Sequence, residues 1–457
     1  MKAVKRIFTI KTNKEMKTRI KRIGTAALFV LLFPNITNVF AGNDNNYFTI
    51  SGVVKDKSNG KKLEYVNISV QGSNVSSITN ADGVFVVKIK DSIQAKEIEF
   101  SRIGYFSVRI SLTGQDLLDQ TFYLAPNEKQ LKEILVESWK NPSDLVRGAL
   151  RRIGDNYSNK PNLLTGFYRE TVEKGKKFVN ISEAIINIYK SSYSNDMFNE
   201  NDRVQIFKGR RLLTTKVSDT LAVKLLGGPN LSVYADIVKN PDILFDEESL
   251  SYFNFRMKDS KFLDNRPQYV LSFEPAVILP YPLYYGTLYI DKETLSFTRA
   301  EFYLDMKDRN KATEVILRKK PAGLRFNPEE VSFIVSYKQR EGRSYLNYIR
   351  NEVQFKCDWK RRLFATNYTV VSEMVVTESR EEHVSNIPRK ASFNEYESLS
   401  DKVMDFYDDN FWGDYNIIAP TESLESAVNK LKKQYIRPVP ADSTNRLLLL
   451  NAGRQQQ

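Results

Sequence analysis

Val66-Asn67-Ile68-Ser69-Val70 decides the fold class, because apolar and polar residues alternate along it. The same spacing runs through Phe85, Val87 and Ile89, through Ile98 and Phe100, and through Val108, Ile110 and Leu112. Successive side chains of a strand point to opposite faces, so each segment carries one apolar and one wet face. Ser58-Asn59-Gly60, Asp82-Gly83 and Thr113-Gly114 separate them with turn-forming residues. Phe48 to Leu124 therefore predicts a small antiparallel β-sandwich.

Upstream of this segment, a basic stretch ends at Lys21-Arg22, an apolar run spans Ile23 to Phe33, and Val39-Phe40-Ala41 follows. The run is about half of the ~20 residues that a membrane span needs. Residues 1–41 are expected to be a cleaved signal peptide, with Met1 or Met16 as the start. No cysteine directly follows the apolar run, which disfavours a lipid-anchored lipoprotein.

The chain has 68 Lys and Arg against 55 Asp and Glu, a formal charge of +13. Nine of the basic residues and one of the acidic lie at or before Ala41, leaving 59 against 54. Most of the basicity thus belongs to the leader, and the chain beyond it gives no case for a nucleic-acid partner. Cys357 is the only cysteine. It lies on the apolar side of Val353-Gln354-Phe355-Lys356-Cys357-Asp358-Trp359, which points to a buried structural thiol.

After the sandwich, Leu131 to Val136 reads as a last strand and exit linker. Asn141-Pro142-Ser143-Asp144 opens a helix, with Leu145, Val146, Ala149, Leu150 and Ile153 on one face. From Leu164 to Thr377 the text is strand-like again. Hairpins are expected about Glu173–Lys176, Asp291–Thr294 and Gln339–Arg343, with further strands at Tyr269–Phe273 and Phe364–Val376. Hairpin succession argues for one large antiparallel sheet, curved or half-barrel. Leu212 to Leu250 reads as a helix or covering insertion. Near the end, Phe411, Trp412 and Tyr415 form an aromatic knot. Pro420-Thr421 then starts a helix whose acidic residues precede its basic ones, as the helix dipole favours.

The expected fold is mainly β. The expected division is 1–41 leader, 42–137 sandwich, 138–378 helix plus large antiparallel β domain, 379–437 C-terminal docking segment with helix, and 438–457 disordered tail.

Catalytic signatures are sparse. His383 is the only histidine and sits in the polar connector Glu381-Glu382-His383-Val384. Zinc hydrolases and serine triads both need histidine. No Gly-x-Ser-x-Gly elbow occurs, and Gly227-Gly228-Pro229-Asn230 lacks the lysine of a phosphate loop. Carboxylate pairs such as Asp246-Glu247-Glu248 and Glu329-Glu330 leave glycoside hydrolysis formally open. Asn80 with Asp82-Gly83 reads as a turn and not as a calcium loop, which needs six to eight oxygens. Pro280-Tyr281-Pro282-Leu283-Tyr284-Tyr285 is the best candidate binding surface. No catalytic residue, cofactor or metal ligand is assigned.

Ile50-Ser51-Gly52-Val53-Val54, Val66–Val70, Thr79-Asn80-Ala81-Asp82-Gly83-Val84-Phe85 and Phe100-Ser101-Arg102-Ile103-Gly104-Tyr105 resemble the carboxypeptidase regulatory-like domain. The resemblance implies a transthyretin-like sandwich of about seven strands, an accessory without catalysis of its own. In Bacteroidetes such modules stand at the N-terminus of TonB-dependent outer-membrane receptors. Here no receptor plug or peptidase motif follows, and Asn80 replaces the family's more usual aspartate. Gly286-Thr287-Leu288-Tyr289-Ile290-Asp291 with Thr294 resembles strand-turn text of lipoprotein-carrier-like half-barrels. The expectation is an exported, non-enzymatic cell-envelope protein of periplasm or outer membrane, binding an envelope protein, glycan or lipid. The rival expectations are a lipid or protein carrier and a carboxylate-dependent glycan hydrolase.

Overall fold

A computed structural model describes residues 46–127, 139, 141–194, 202–214, 216, 221–244, 246–360, 364–394, 397–405 and 410–436. The expected leader, the strand at Leu131–Val136 and the tail past Pro438 lie outside these residues.

Alternation in the first segment becomes alternate burial. Seven strands form two sheets: β1 (Tyr47–Asp56), β2 (Asn67–Val70), β3 (Ser76–Ile78), β4 (Val84–Lys90), β5 (Glu97–Ser101), β6 (Val108–Ser111) and β7 (Leu117–Leu124). Their orders are β4-β1-β7 and β3-β2-β5-β6. Ile50, Phe85, Val87, Ile89, Ile98 and Phe100 are wholly buried between them. Phe85, Phe100 and Phe122 meet at centroid distances of 4.6–5.6 Å. One feature departs from the antiparallel expectation: β7 pairs parallel to β1. The chain reaches β7 from the opposite sheet and not through a hairpin. Gly52 permits that pairing, since a Cβ there would fall 2.0 Å from Gln120 O.

The second segment forms β8 (Asn162–Lys174), β9 (Lys177–Lys190), β10 (Arg203–Leu213), β11 (Lys224–Leu225), β12 (Phe253–Leu263), β13 (Arg266–Pro275), β14 (Tyr284–Asp291), β15 (Phe297–Leu304), β16 (Leu317–Lys319), β17 (Leu324–Arg340), β18 (Arg343–Trp359), β19 (Thr366–Arg380) and β20 (Met404–Asp405). Eleven of these make one sheet, ordered β12-β13-β14-β15-β17-β18-β19-β8-β9-β10-β20, which does not close into a barrel. All three expected hairpins are present. The strands β10 and β12 each pair through a bulge, which shifts the alternation partway along them, after Ile206 and after Lys258.

One face of this sheet is apolar and covered. Leu145, Val146 and Ala149 of the helix Pro142–Arg151 pack there, as do Val233 and Leu250 of the Leu212–Leu250 insertion and Ala312 of the helix Arg309–Ile316. Asn141 caps the first helix by accepting from Ser143 N at 3.1 Å. The opposite face carries the sandwich and the C-terminal segment.

Candidate functional site

Register and alternation arrange that opposite face in transverse rows. One row runs Tyr289–Arg299–Ser336–Tyr348–Val375–Phe167–Ile185 across seven strands. The next runs Glu301–Ile334–Arg350–Glu373–Arg169–Glu183–Arg210. Its charges alternate in sign, with Arg350–Glu373 at 3.1 Å, Arg169–Glu183 at 2.8 Å and Arg210–Glu183 at 3.2 Å. Cross-strand neighbours of opposite charge support pairing in this register, and a two-residue slip would set Arg169 against isoleucine or valine.

The sandwich sits on the first row. Ile78 packs with Phe167, Ile185, Tyr348, Val375, Trp412 and Ile418, joining sandwich, sheet and C-terminal segment in one apolar cluster. Ser76 Oγ donates to Val376 O at 2.7 Å, and Asn347 Nδ2 donates to Asn67 Oδ1 at 3.0 Å.

Where that seam opens, a pocket of about 170 Å³ lies between the two domains. Tyr65 and Arg102 line it from the sandwich, and Tyr289, Arg299, Glu301 and Ser336 from the sheet. The Arg299 guanidinium carbon stands 5.6 Å from the Tyr65 ring centre, across the seam. Each arginine is anchored through Nε: Arg102 donates to Glu64 O at 2.9 Å and Arg299 to Glu301 at 2.6 Å. Burial pushes the Tyr65 and Tyr289 phenols up to about 12, so both are protonated donors at neutral pH. Ser336 is 4% exposed, and its Oγ has no hydrogen-bond partner among the described residues. Tyr65 has φ 56°, an outlier for a bulky residue of the kind that concentrates at binding sites. The lining is thus rich in donors, with one carboxylate.

A second cleft, about 550 Å³, lies beside the helix Pro142–Arg151 and includes Arg151, Tyr193, Lys239, Asp246 and Glu247. Glu247 is bound to Arg151 at 2.9 Å, and that bond holds its carboxyl below the usual range. Asp246 accepts from Ser249 N at 2.9 Å. Beneath the cleft, Asp236 accepts from Tyr193 and Tyr337, each at 2.7 Å, and from Lys190 at 2.8 Å. The Glu247 and Asp236 carboxyls are held below their ordinary values, the opposite of the raised carboxyl that a general acid needs.

The residues singled out in the sequence fall as follows. Tyr284 packs edge-on to Phe302 at 5.4 Å, while Tyr285 stacks on Tyr303 at 5.5 Å and stays 44% exposed. Trp412 is buried, 5.6 Å from Phe167 and 4.7 Å from the Arg210 guanidinium. Cys357 is buried, and burial pushes its thiol up to about 11. His383 is exposed. Pro229 follows Gly228 into a six-residue helix. Glu329 pairs with Lys356 at 2.5 Å. Among the described residues no three His, Cys, Asp or Glu group as metal ligands, and no helix is long and apolar enough to cross a membrane. The seam residues went unassigned in the sequence because two distant segments supply them. Of those named, Arg102 and Tyr289 lay inside stretches that carry a resemblance, one on each side of the seam.

Residues 50–136 match the CarboxypepD_reg-like domain. No curated protein matches the chain. Among solved structures, a DUF1329 family protein from Desulfovibrio piger is 13% identical, with TM-score 0.24, over 54% of this chain and 95% of that one. MucB in complex with MucA(peri) is 12% identical, with TM-score 0.16, over 53% and 100%. A protein of unknown function from Bacteroides fragilis is 10% identical, with TM-score 0.14, over 73% and 98%. None of the three reaches the similarity of a shared overall fold.

Proposed function

We propose that this protein is exported to the cell envelope of a Gram-negative bacterium and that it binds or assembles and does not catalyse. The carrying observation is the seam pocket, built jointly by the CarboxypepD_reg-like module and the sheet. An accessory module fixed against a second domain, with arginine, tyrosine and serine donors lining their common seam, suits recognition. Export rests on the basic-then-apolar leader ending at Ala41.

The test has two arms. Cell fractionation with N-terminal sequencing should recover the chain outside the cytoplasm, beginning at Gly42. Retention in the cytoplasm with the leader intact would overturn export. Crosslinking in the native host should capture one reproducible envelope component. Turnover of a glycan by the purified protein, lost on Glu247→Gln, would overturn the non-enzymatic reading.

A further inference from the structure

We propose that the seam pocket seats a single anionic sugar residue of the uronic-acid class. This deepens the binding reading above and rests on it in treating the pocket as a seat. Its volume, about 170 Å³, is below the ~300 Å³ at which pockets for drug-sized ligands begin, so the occupant is one small unit.

The lining then selects the chemistry. Arg102 and Arg299 each use Nε on the protein, which leaves the outer edge of the Arg299 guanidinium for a ligand, while Arg102 is shared with Tyr105. Guanidinium nitrogens recognise carboxylates in a fixed planar geometry. Ser336 Oγ, buried and without a partner, is the kind of group that a native fold leaves for water or a ligand. Tyr65 and Tyr289 add protonated hydroxyls.

Glu301 distinguishes the candidates. One of its oxygens takes Arg299 Nε, and the group remains an acceptor on the pocket wall. A bare multivalent oxoanion would meet that carboxylate as a like charge. A uronic acid offers its carboxylate to the guanidiniums and its hydroxyls to Glu301 and Ser336. A neutral hexose would leave the guanidiniums unanswered.

The register makes the seat rigid. Tyr289, Arg299 and Ser336 are direct neighbours on β14, β15 and β17, while Tyr65 and Arg102 cover them from the sandwich. A bound sugar therefore touches both domains at once and stabilises their contact by mass action.

Calorimetric titration of the purified protein with D-glucuronate, D-glucose and inorganic phosphate tests this. Glucuronate should bind, with glucose and phosphate each weaker by about tenfold or more. Ser336→Ala should lower glucuronate affinity about tenfold without lowering the melting temperature of the free protein, because the hydroxyl has no partner to lose. Arg102→Gln should weaken glucuronate and leave glucose unchanged. Absence of glucuronate binding at millimolar concentration, tighter binding of phosphate, or unchanged affinity in Ser336→Ala would each overturn the assignment. NMR of the bound sugar should show it intact. Conversion of the sugar would leave the seat standing and overturn the non-enzymatic reading instead.

Discussion

The side-chain amide of Asn80 donates to Pro420 O at 2.9 Å and to Ala419 O at 3.1 Å, tying the sandwich to the C-terminal segment. Its Oδ1 accepts from Asp82 N at 2.9 Å and Val84 N at 3.0 Å, so one side chain both shapes the turn and holds the segment. Asp82 Oδ2 then accepts from Glu422 N at 2.8 Å, at the start of the helix Glu422–Ile436. The turn that offered a calcium reading is a docking point. It also explains a departure from the family: aspartate at position 80 would keep the turn but set a carboxylate against two carbonyls. Asn80→Asp should therefore destabilise the protein by about 1–3 kcal/mol, measured by urea denaturation. Stability equal to wild type would show that these bonds contribute nothing net.

Trp412 is the apolar counterpart of that dock. Its ring is buried against Phe167 and Ile418, while its Nε1 has no partner among the described residues. Trp412→Ala should cost about 3–5 kcal/mol. It should also speed proteolysis of the segment after Val403. Trp412→Phe keeps the ring and loses no hydrogen bond, so it should cost less than about 1.5 kcal/mol. A large loss in Trp412→Phe would show that the indole N–H is satisfied after all.

The hairpins were legible because local chemistry decides them. Asp291 accepts from Glu293 N, Thr294 N and Thr294 Oγ1, a turn that its own residues specify. The helix Glu422–Ile436 was legible for the same reason: Leu424 and Leu431 share its apolar stripe, packed on Ile181 and Leu212. The strand β10 was not, because Arg210 stands on the covered face, where Glu183 of the neighbouring strand holds it, and a charged residue there breaks the apolar alternation. Likewise Ser336 reads as an ordinary strand residue until register sets it beside Arg299. Pairing across long separations fixes such positions, and no local pattern carries it.

Lys190 and Asp236 form a fully buried ion pair at 2.8 Å, with Asp202 as a second carboxylate at 2.5 Å from Lys190. Burial pushes the Asp236 carboxyl up, but the Lys190 charge and the bonds from Lys190, Tyr193 and Tyr337 outweigh it, leaving it below its ordinary 3.8. Its stabilisation is complete at neutral pH and is lost as pH falls through that lowered value. Lys190→Met strands both carboxylates and should cost about 3–5 kcal/mol, the share due to the fully buried Asp236 being recovered in Lys190→Met/Asp236→Asn. The single variant's deficit should shrink as pH is lowered from neutrality, because the unpaired carboxyl then takes up a proton. A deficit that does not change with pH would place the loss in packing.

Lys338 stands near the sandwich, facing Asp264, Glu99 and Arg340. Burial lowers its ammonium from 10.5 to about 8, against the pull of Asp264. Between those two values the unfolded chain binds a proton that the native chain has released. Stability therefore rises with pH across this window, and it is lost as pH falls through about 8. The tyrosines oppose the rise at its upper end. Burial holds Tyr157, Tyr168, Tyr193, Tyr337 and Tyr348 well above their ordinary 10.0, so past that point the native chain keeps protons that the unfolded chain loses. Urea midpoints should climb from about pH 8, level off above pH 9 where the buried Cys357 thiol keeps a proton that the unfolded chain loses, and fall past pH 10. Lys338→Met should flatten the climb and leave the fall in place. A climb that survives the substitution would assign it to another group and leave Lys338 charged in the folded protein.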